Sequence, residues 1–452
     1  MNYVLRNVMF AAVPVLCCVT GAGADAVSDT LPTGLNPVAI AIDSVTDIIY
    51  VANIHSNTVT AINGATDSTT TINAGGGPQA IAVNRVTDKI YVADFGTHGN
   101  NSRVTIINGA NYSRDSVVVG INPSALAVNE VTNKIYVANR GVYNNYGYVT
   151  VLNGATNATT RVNAGYYPTA IAVNPVTDMI YVADDSANNI PSTDNNDSVK
   201  VINGATGSVV ATVTVGLKPG AIAVNRVTNM IYVVNDSSNT VTIIDGATNA
   251  TTTVKTGAGP QALAVNEATN MIYVTNYTGN SVTVINGATD STTTVPTGFN
   301  PFAIAVNPVT NTIYVANSGI SGIYSTVTVI SGTTDSTTTL NAGLEPYAVA
   351  VNSATNTIFV ANFAGDNVMV IQGAPAAVLR VPAQVRGLEL GYRGVLAVFA
   401  LNGRQVLRYS FPANASKQSI LSAVNRIPAK GVYRYRFLSD RKIMDEGNIL
   451  VR

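Results

Sequence analysis

A unit of the form Pro-x-Ala-Ile-Ala-Val-Asn-x-Val-Thr-Asn-x-Ile-Tyr-Val-Ala-Asn recurs eight times along the chain. Its copies open at Pro37, Pro78, Pro123, Pro168, Pro219, Pro260, Pro301 and Pro346, at intervals of 41, 45, 45, 51, 41, 41 and 45 residues. Such a unit cannot bury its apolar face alone, so neighbours must stack. A period of about 44 residues, with several short strands in each, is the range of β-propeller blades. The seventh copy shows the plan. Residues 303–306 read as an apolar strand A, and Asn307-Pro308-Val309-Thr310-Asn311 is turn chemistry. Residues 313–316 are a β-branched and aromatic strand B. In residues 325–330, strand C, Val327 and Val329 alternate with Thr326 and Thr328. After the turn at Ser331-Gly332-Thr333-Thr334-Asp335, residues 336–340 form a Thr-rich outer strand D.

Counting strands closes the ring. Eight copies of A, B and C are present, but only seven internal D strands. After residues 367–372 the usual Gly-Ala-Thr gives way to Gly373-Ala374-Pro375, and proline removes a ladder donor. The missing strand lies at the other end. Ser28-Asp29-Thr30-Leu31-Pro32-Thr33-Gly34-Leu35-Asn36-Pro37 parallels Thr292-Thr293-Thr294-Val295-Pro296-Thr297-Gly298-Phe299-Asn300-Pro301. The expected fold is all-β: an eight-bladed propeller of four-stranded antiparallel blades, with the N-terminal strand completing the last one. Residues 377–381 are the rival closing strand, and seven blades with one displaced unit is the rival ring.

Charge narrows the partners. The chain has 25 Lys+Arg and 25 Asp+Glu, and only 11% of its 452 residues are charged, which argues against nucleic acid. A 46% hydrophobic content is too high for disorder. Both cysteines, Cys17 and Cys18, precede the repeats, so disulfides, Cys-ligated zinc and thiol catalysis are excluded from the body. Residues 1–24 read as a secretory leader: Arg6, a twelve-residue apolar stretch over 8–19, then Ala22-Gly23-Ala24 before Asp25. The stretch is too short to span a bilayer.

Strand B reads Tyr-Val-Ala-Asn repeatedly, and at Tyr273-Val274-Thr275-Asn276 it is Tyr-Val-Thr-Asn itself. Over residues 26–374 the chain resembles the YVTN family of β-propeller repeat proteins. The resemblance implies a secreted or cell-surface protein of bacteria or archaea, and no shared catalytic residues.

Composition changes after Pro375. Residues 376–452 hold 13 Lys+Arg and 4 Asp+Glu, whereas residues 25–375 hold 11 and 21. Three domains follow: a leader over 1–24, the propeller over 25–375, and a small β-sandwich over 376–452. In the last, residues 395–400 and 405–411 read as a hairpin about Asn402-Gly403, and Gly431-Val432-Tyr433 opens another strand. These motifs, Asn402, Gly403, Gly431, Val432 and Tyr433, resemble the C-terminal sorting domain of the type IX (Por) secretion system. That resemblance implies export across an outer membrane and contact with secretion machinery. The end, Asn448-Ile449-Leu450-Val451-Arg452, departs from the Lys-rich strand common there. An ordinary accessory sandwich is the alternative.

Chemistry-bearing residues are sparse. His55 and His98 fall in loops after strand B of blades 1 and 2, and read as exposed loop histidines. Asp184, Asp185, Asp194 and Asp197 cluster in one loop of blade 4. Hard oxygen ligands of this kind suit calcium, although the loop lacks EF-hand spacing and a solvated polar loop is the alternative. Two rings of Asn and Asp, at the ends of strands A and B, are expected to bond their own turns. The Gly of Asn-Gly-Ala after strand C likewise reads as turn chemistry.

Loops A–B and C–D are nearly monotone, whereas B–C and D–A vary and share one face. That face carries Phe95, Tyr143, Tyr146, Tyr148, Tyr166, Tyr167, Tyr277, Phe299, Phe302, Tyr324, Tyr347 and Phe363. Aromatic side chains give wide contact at low entropic cost, which suits a protein or glycan ligand. The expected function is a non-enzymatic, exported binding scaffold. The alternatives are a self-assembling surface-layer or adhesive protein and a metal-dependent propeller hydrolase or lyase.

Overall fold

The computed structural model of the protein describes residues 24–96, 102–142, 145–185, 197–320, 323 and 325–374, with four further strands between 394 and 451. Residues 1–23 of the expected leader over 1–24, His98, Tyr143, Asp194, Tyr324, residues 377–381 and the Asn402-Gly403 turn lie outside the described residues.

Each repeat forms one four-stranded antiparallel sheet in the order A-B-C-D. In blade 7 these are Pro301–Asn307, Thr312–Asn317, Thr326–Ser331 and Thr337–Asn341. Strand A starts on proline in every blade, and its register to strand B slips just after that residue. The A strands line the ring's axis. The D strands are its outer edge, with exposed threonines such as Thr337, Thr338 and Thr339.

Blade 8 has three strands in sequence order, Pro346–Asn352, Thr357–Asn362 and Asn367–Gln372. Its fourth is the N-terminal strand Ala26–Pro32, antiparallel to the third from Ala26↔Gln372 to Pro32↔Asn367. The strand arithmetic therefore holds, and eight blades are present.

Blades pack through strands B and C. The central B residue is Tyr50, Tyr91, Tyr136, Tyr181, Tyr232, Tyr273, Tyr314 or Phe359, each fully buried. A cluster of buried apolar side chains fills every one of the eight junctions. At the closing junction Leu31, Phe359, Val368 and Val370 meet Ile49, Val51 and Ile62, so the seam is as apolar as the rest.

The two Asn/Asp rings do more than the expected local bonding. At the end of strand A the side-chain oxygen does accept from its own turn, as in Asn129 Oδ1 from Val131 N–H at 3.0 Å. The amide nitrogen, however, donates across the junction to the A–B turn of the next blade. Asn129 reaches Asp178 at 2.7 Å, and Asn352 reaches Asp47 at 2.6 Å, tying blade 8 to blade 1. Seven junctions carry this bond. At the eighth, Asp43 faces Asp88, and a buried oxygen of each is left without a partner.

At the end of strand B the amide nitrogen bonds strand C instead of its own turn. Asn53 donates to Thr58 at 3.1 Å and Thr60 at 3.0 Å.

Two glycines per repeat are steric. The Gly after strand C has no left-handed backbone. A Cβ on Gly64 would sit 2.5 Å from Asp47 Oδ1 of the A–B turn. The Gly of each D–A loop lies against the Asn or Asp that ends strand B in the same way, and a Cβ on Gly120 would be 2.6 Å from Asn139 Cβ. Most non-glycine left-handed positions are Asn or Asp, such as Asp47 at φ 57° and Asp67 at φ 58°, with Tyr112, Lys218 and Glu345 the others.

Beyond 374 the described residues form one four-stranded antiparallel sheet, ordered Gln405–Phe411, Gly394–Phe399, Gly431–Ser439, Lys442–Val451. The expected hairpin is present, with Leu396 opposite Tyr409. Gly431, Val432 and Tyr433 open a strand paired with the last one, Val432 opposite Leu450. A second layer of the expected sandwich is not among the described residues, none of which forms a helix.

Candidate functional site

Antiparallel blades put the B–C and D–A loops on one side of the ring. Repeat positions decide what that side displays. The residue after the strand-A proline reaches this rim, and in blades 7 and 8 it is Phe302 and Tyr347. The residue after the strand-B Asn opens the B–C loop, and in blades 6 and 8 it is Tyr277 and Phe363. In blade 1, His55 lies two residues beyond Asn53.

The fold brings these five rings into a row across four blades. Tyr277 meets Phe302 edge-on, with centroids 6.2 Å apart and planes at 80°. Phe302 and Tyr347 lie 4.1 Å apart at 34°. Tyr347 and Phe363 are 5.5 Å apart, and Phe363 and His55 are 6.4 Å apart at 62°. Backbone bonds hold the row: Tyr277 N–H donates to Gly259 O at 2.7 Å, and Phe363 N–H to Glu345 O at 2.8 Å. Asn36 pins the seam, donating through Nδ2 to Phe363 O at 3.0 Å and through its backbone to Asp366 at 2.8 Å. Its Oδ1 lies 2.6 Å from His55 Nδ1. Burial raises the Tyr347 phenol pKa, and the neighbouring Tyr277 adds to this, so the Tyr347 phenol stays a neutral donor at ordinary pH.

The row is flanked by apolar D–A loop residues. Phe299 is 45% exposed, Leu35 52% and Leu344 52%, while Leu217, in the loop between blades 4 and 5 and away from the row, is 49% exposed. An apolar surface with polar surroundings marks a recognition site.

The expected residues of blades 3 and 4 form a separate group. Tyr166 is about half exposed. Tyr167 packs under the Arg140 guanidinium at 5.4 Å, and Tyr148 under Arg161 at 3.8 Å. These rings offer cation–π contact in place of an open apolar face. Tyr146 lies in strand C of blade 3, with its side chain outside the described part.

Asp184, Asp185 and Asp197 are all buried. Asp184 Oδ1 accepts from Tyr167 N–H at 2.6 Å, and Asp197 Oδ2 from Lys218 N–H at 2.7 Å. Burial raises the Asp184 carboxyl, Asp197 adds to that, and backbone donors with Lys200 oppose it. Among the described residues no three His, Cys, Asp or Glu side chains are grouped to hold a metal.

In the sequence the aromatic residues stand without their order in space. One signal was available: Phe302 and Tyr347 share a repeat position, as do Tyr277 and Phe363. Leu35, Leu217 and Leu344 share a third repeat position with Phe299, two residues before the strand-A proline, whereas Arg140 and Arg161 carry no such signal.

No family model matches the chain, and no curated protein matches it. Among solved structures, Kuenenia stuttgartiensis hydrazine synthase matches 77% of this chain and 98% of its own, at TM-score 0.53 and 17% identity. Saccharomyces cerevisiae Sqt1 matches 78% of this chain and 100% of its own, at TM-score 0.62 and 8% identity. At such identities both likenesses show the propeller fold alone.

Proposed function

We propose that the protein is an exported, non-enzymatic binding scaffold that engages a protein or glycan ligand through the B–C and D–A face. The observation that carries this reading is the aromatic row from Tyr277 to His55. The leader-like residues 1–24 and the resemblance to YVTN proteins support export to the cell surface. The sorting-domain resemblance of the tail supports contact with secretion machinery. The uniform Ala-Ile-Ala-Val inner strands and the paired, capping roles of the acidic side chains favour binding over turnover. The ring geometry favours a protein ligand over a sugar. Phe302 and Tyr347 cover part of each other's faces, whereas a stacked sugar needs an open face. Flanking leucines suit an apolar side chain.

The test is a screen of the purified protein against a glycan array and a cell-surface protein extract, with and without calcium. The expected result is retention of surface proteins that needs no calcium. Metal-dependent turnover of a lactone panel, with no retained ligand, would overturn the reading.

A further inference from the structure

The opposite side of the ring is made of the monotone A–B and C–D turns. Along these turns and the adjoining strand ends the chain places twelve acids and five bases. The B–C and D–A side is nearer neutrality, with eight acids and six bases. Two ion pairs, Arg85–Glu130 at 2.9 Å and Arg226–Glu267 at 2.8 Å, use two acids and two bases of the acidic side. Lys89 and Lys134 are directed to backbone carbonyls of the next blade, Gly154 and Gly204. A negative surplus therefore remains in the turns.

The turns do not require that charge. They require a residue that tolerates φ near 55°, and both Asn and Asp do so. Asn157 and Asn249 fill the C–D position at φ 60° and 61°, where Asp67, Asp290 and Asp335 stand at 58°, 57° and 57°. Tyr112 and Gly207 fill it in blades 2 and 4, so the same turn is built without a carboxylate in four blades and with an exposed or half-exposed one in three.

The chain leaves the ring on this side. Gly373 N–H donates to Asn356 O at 2.9 Å, and Asn356 Nδ2 to Ala374 O at 2.7 Å. Ala374 N–H donates to Asp25 at 2.8 Å, and the same carboxylate accepts from the Tyr314 hydroxyl at 2.8 Å. The exit point is therefore fixed among acidic turns, and the segment that departs from it carries 13 bases and 4 acids.

We propose that this acidic face is the docking surface for the chain's own basic C-terminal segment, residues 376–452. Opposite net charges attract, and tethering at Ala374 makes the contact intramolecular, so effective concentration is high. Contact of this kind weakens as salt shortens the Debye length from about 10 Å at 0.1 M to about 3 Å at 1 M.

The experiment uses the whole protein. Small-angle scattering is recorded at about 20 mM and about 1 M NaCl, and carbodiimide joins carboxylates to tail lysines Lys417, Lys430 and Lys442. The expected result is a smaller radius at low salt, with crosslinks to Asp67, Asp290 or Asp335 that vanish at high salt. The variant D67N/D290N/D335N, with the Asn that blades 3 and 5 already use, should keep its melt and show the larger radius at low salt. Equal radii in both salts for both proteins would overturn the proposal. So would crosslinks confined to Asp236 and Glu345 of the other face, or a scattering mass that rises with concentration, which would make a second copy the occupant.

Discussion

At the residue scale, the repeats act as controls on one another. Six of the eight strand-B termini are Asn, and Asp94 and Asp184 are the exceptions. Asp94 is fully buried and accepts from the Thr105 hydroxyl at 2.6 Å, while its Oδ1 has no partner. Burial pushes its carboxyl up to about 6, against smaller opposing effects from Thr105 and nearby backbone donors. The folded state thus holds this proton more tightly than the unfolded one. Stability from this group is present below about pH 4, is lost as pH rises towards 6, and stays lost above it. Asp94→Asn supplies the amide donor used by Asn53. It should raise stability at pH 7–8 by about 2–3 kcal/mol and by nearly nothing at pH 4, read from urea melts at each pH. The Asp43–Asp88 junction follows the same logic. Burial, and then Asp43, raises the Asp88 carboxyl. Asp43→Asn should restore the eighth cross-blade amide bond and add about 1 kcal/mol at neutral pH. The gain should shrink on acidification, because protonation of the raised Asp88 carboxyl then gives the wild-type junction a donor of its own. A neutral-pH melt lowered by this substitution would contradict the reading.

At the scale of elements, the decisive one is the clasp, Ala26–Pro32. It contributes a whole edge strand and Leu31, 6% exposed, to the closing cluster. Leu31→Ala should cost about 2–4 kcal/mol, as other large-to-small core changes do. Removing residues 25–35 should lower the melting temperature further, because blade 8 loses its fourth strand. Melts by circular dichroism decide both, and an unchanged midpoint would contradict the clasp. Blades, strand bounds and this closure were legible in the sequence because each leaves a periodic trace: a proline every 41 to 51 residues, alternating Val and Thr, and seven D strands where eight are needed. The cross-blade amide bonds and the steric glycines were not. Gly64 answers to Asp47, seventeen positions away, and Asn129 to Asp178 in another blade. Repetition marks such residues without saying what each one faces. The aromatic row was legible as composition only, since its members come from four repeats and meet only when the ring closes.

At the scale of the whole molecule, the ring separates two tasks. Amide bonds, buried tyrosines and monotone turns hold eight blades together on one side. The B–C and D–A loops are thereby free to vary and to display Tyr277, Phe302, Tyr347, Phe363 and His55 on the other. The two faces also differ in kind, one apolar and aromatic in part, the other acidic. Recognition by the first should survive changes to the second. The most direct measurement compares three immobilised proteins, wild type, F302A/Y347A and D67N/D290N/D335N, in one surface-protein extract, with bound proteins quantified by mass spectrometry. The account predicts at least about tenfold less retained protein on F302A/Y347A, a loss of about 1.4 kcal/mol, with the melt and the D67N/D290N/D335N profile unchanged. Equal retention on wild type and F302A/Y347A would contradict it.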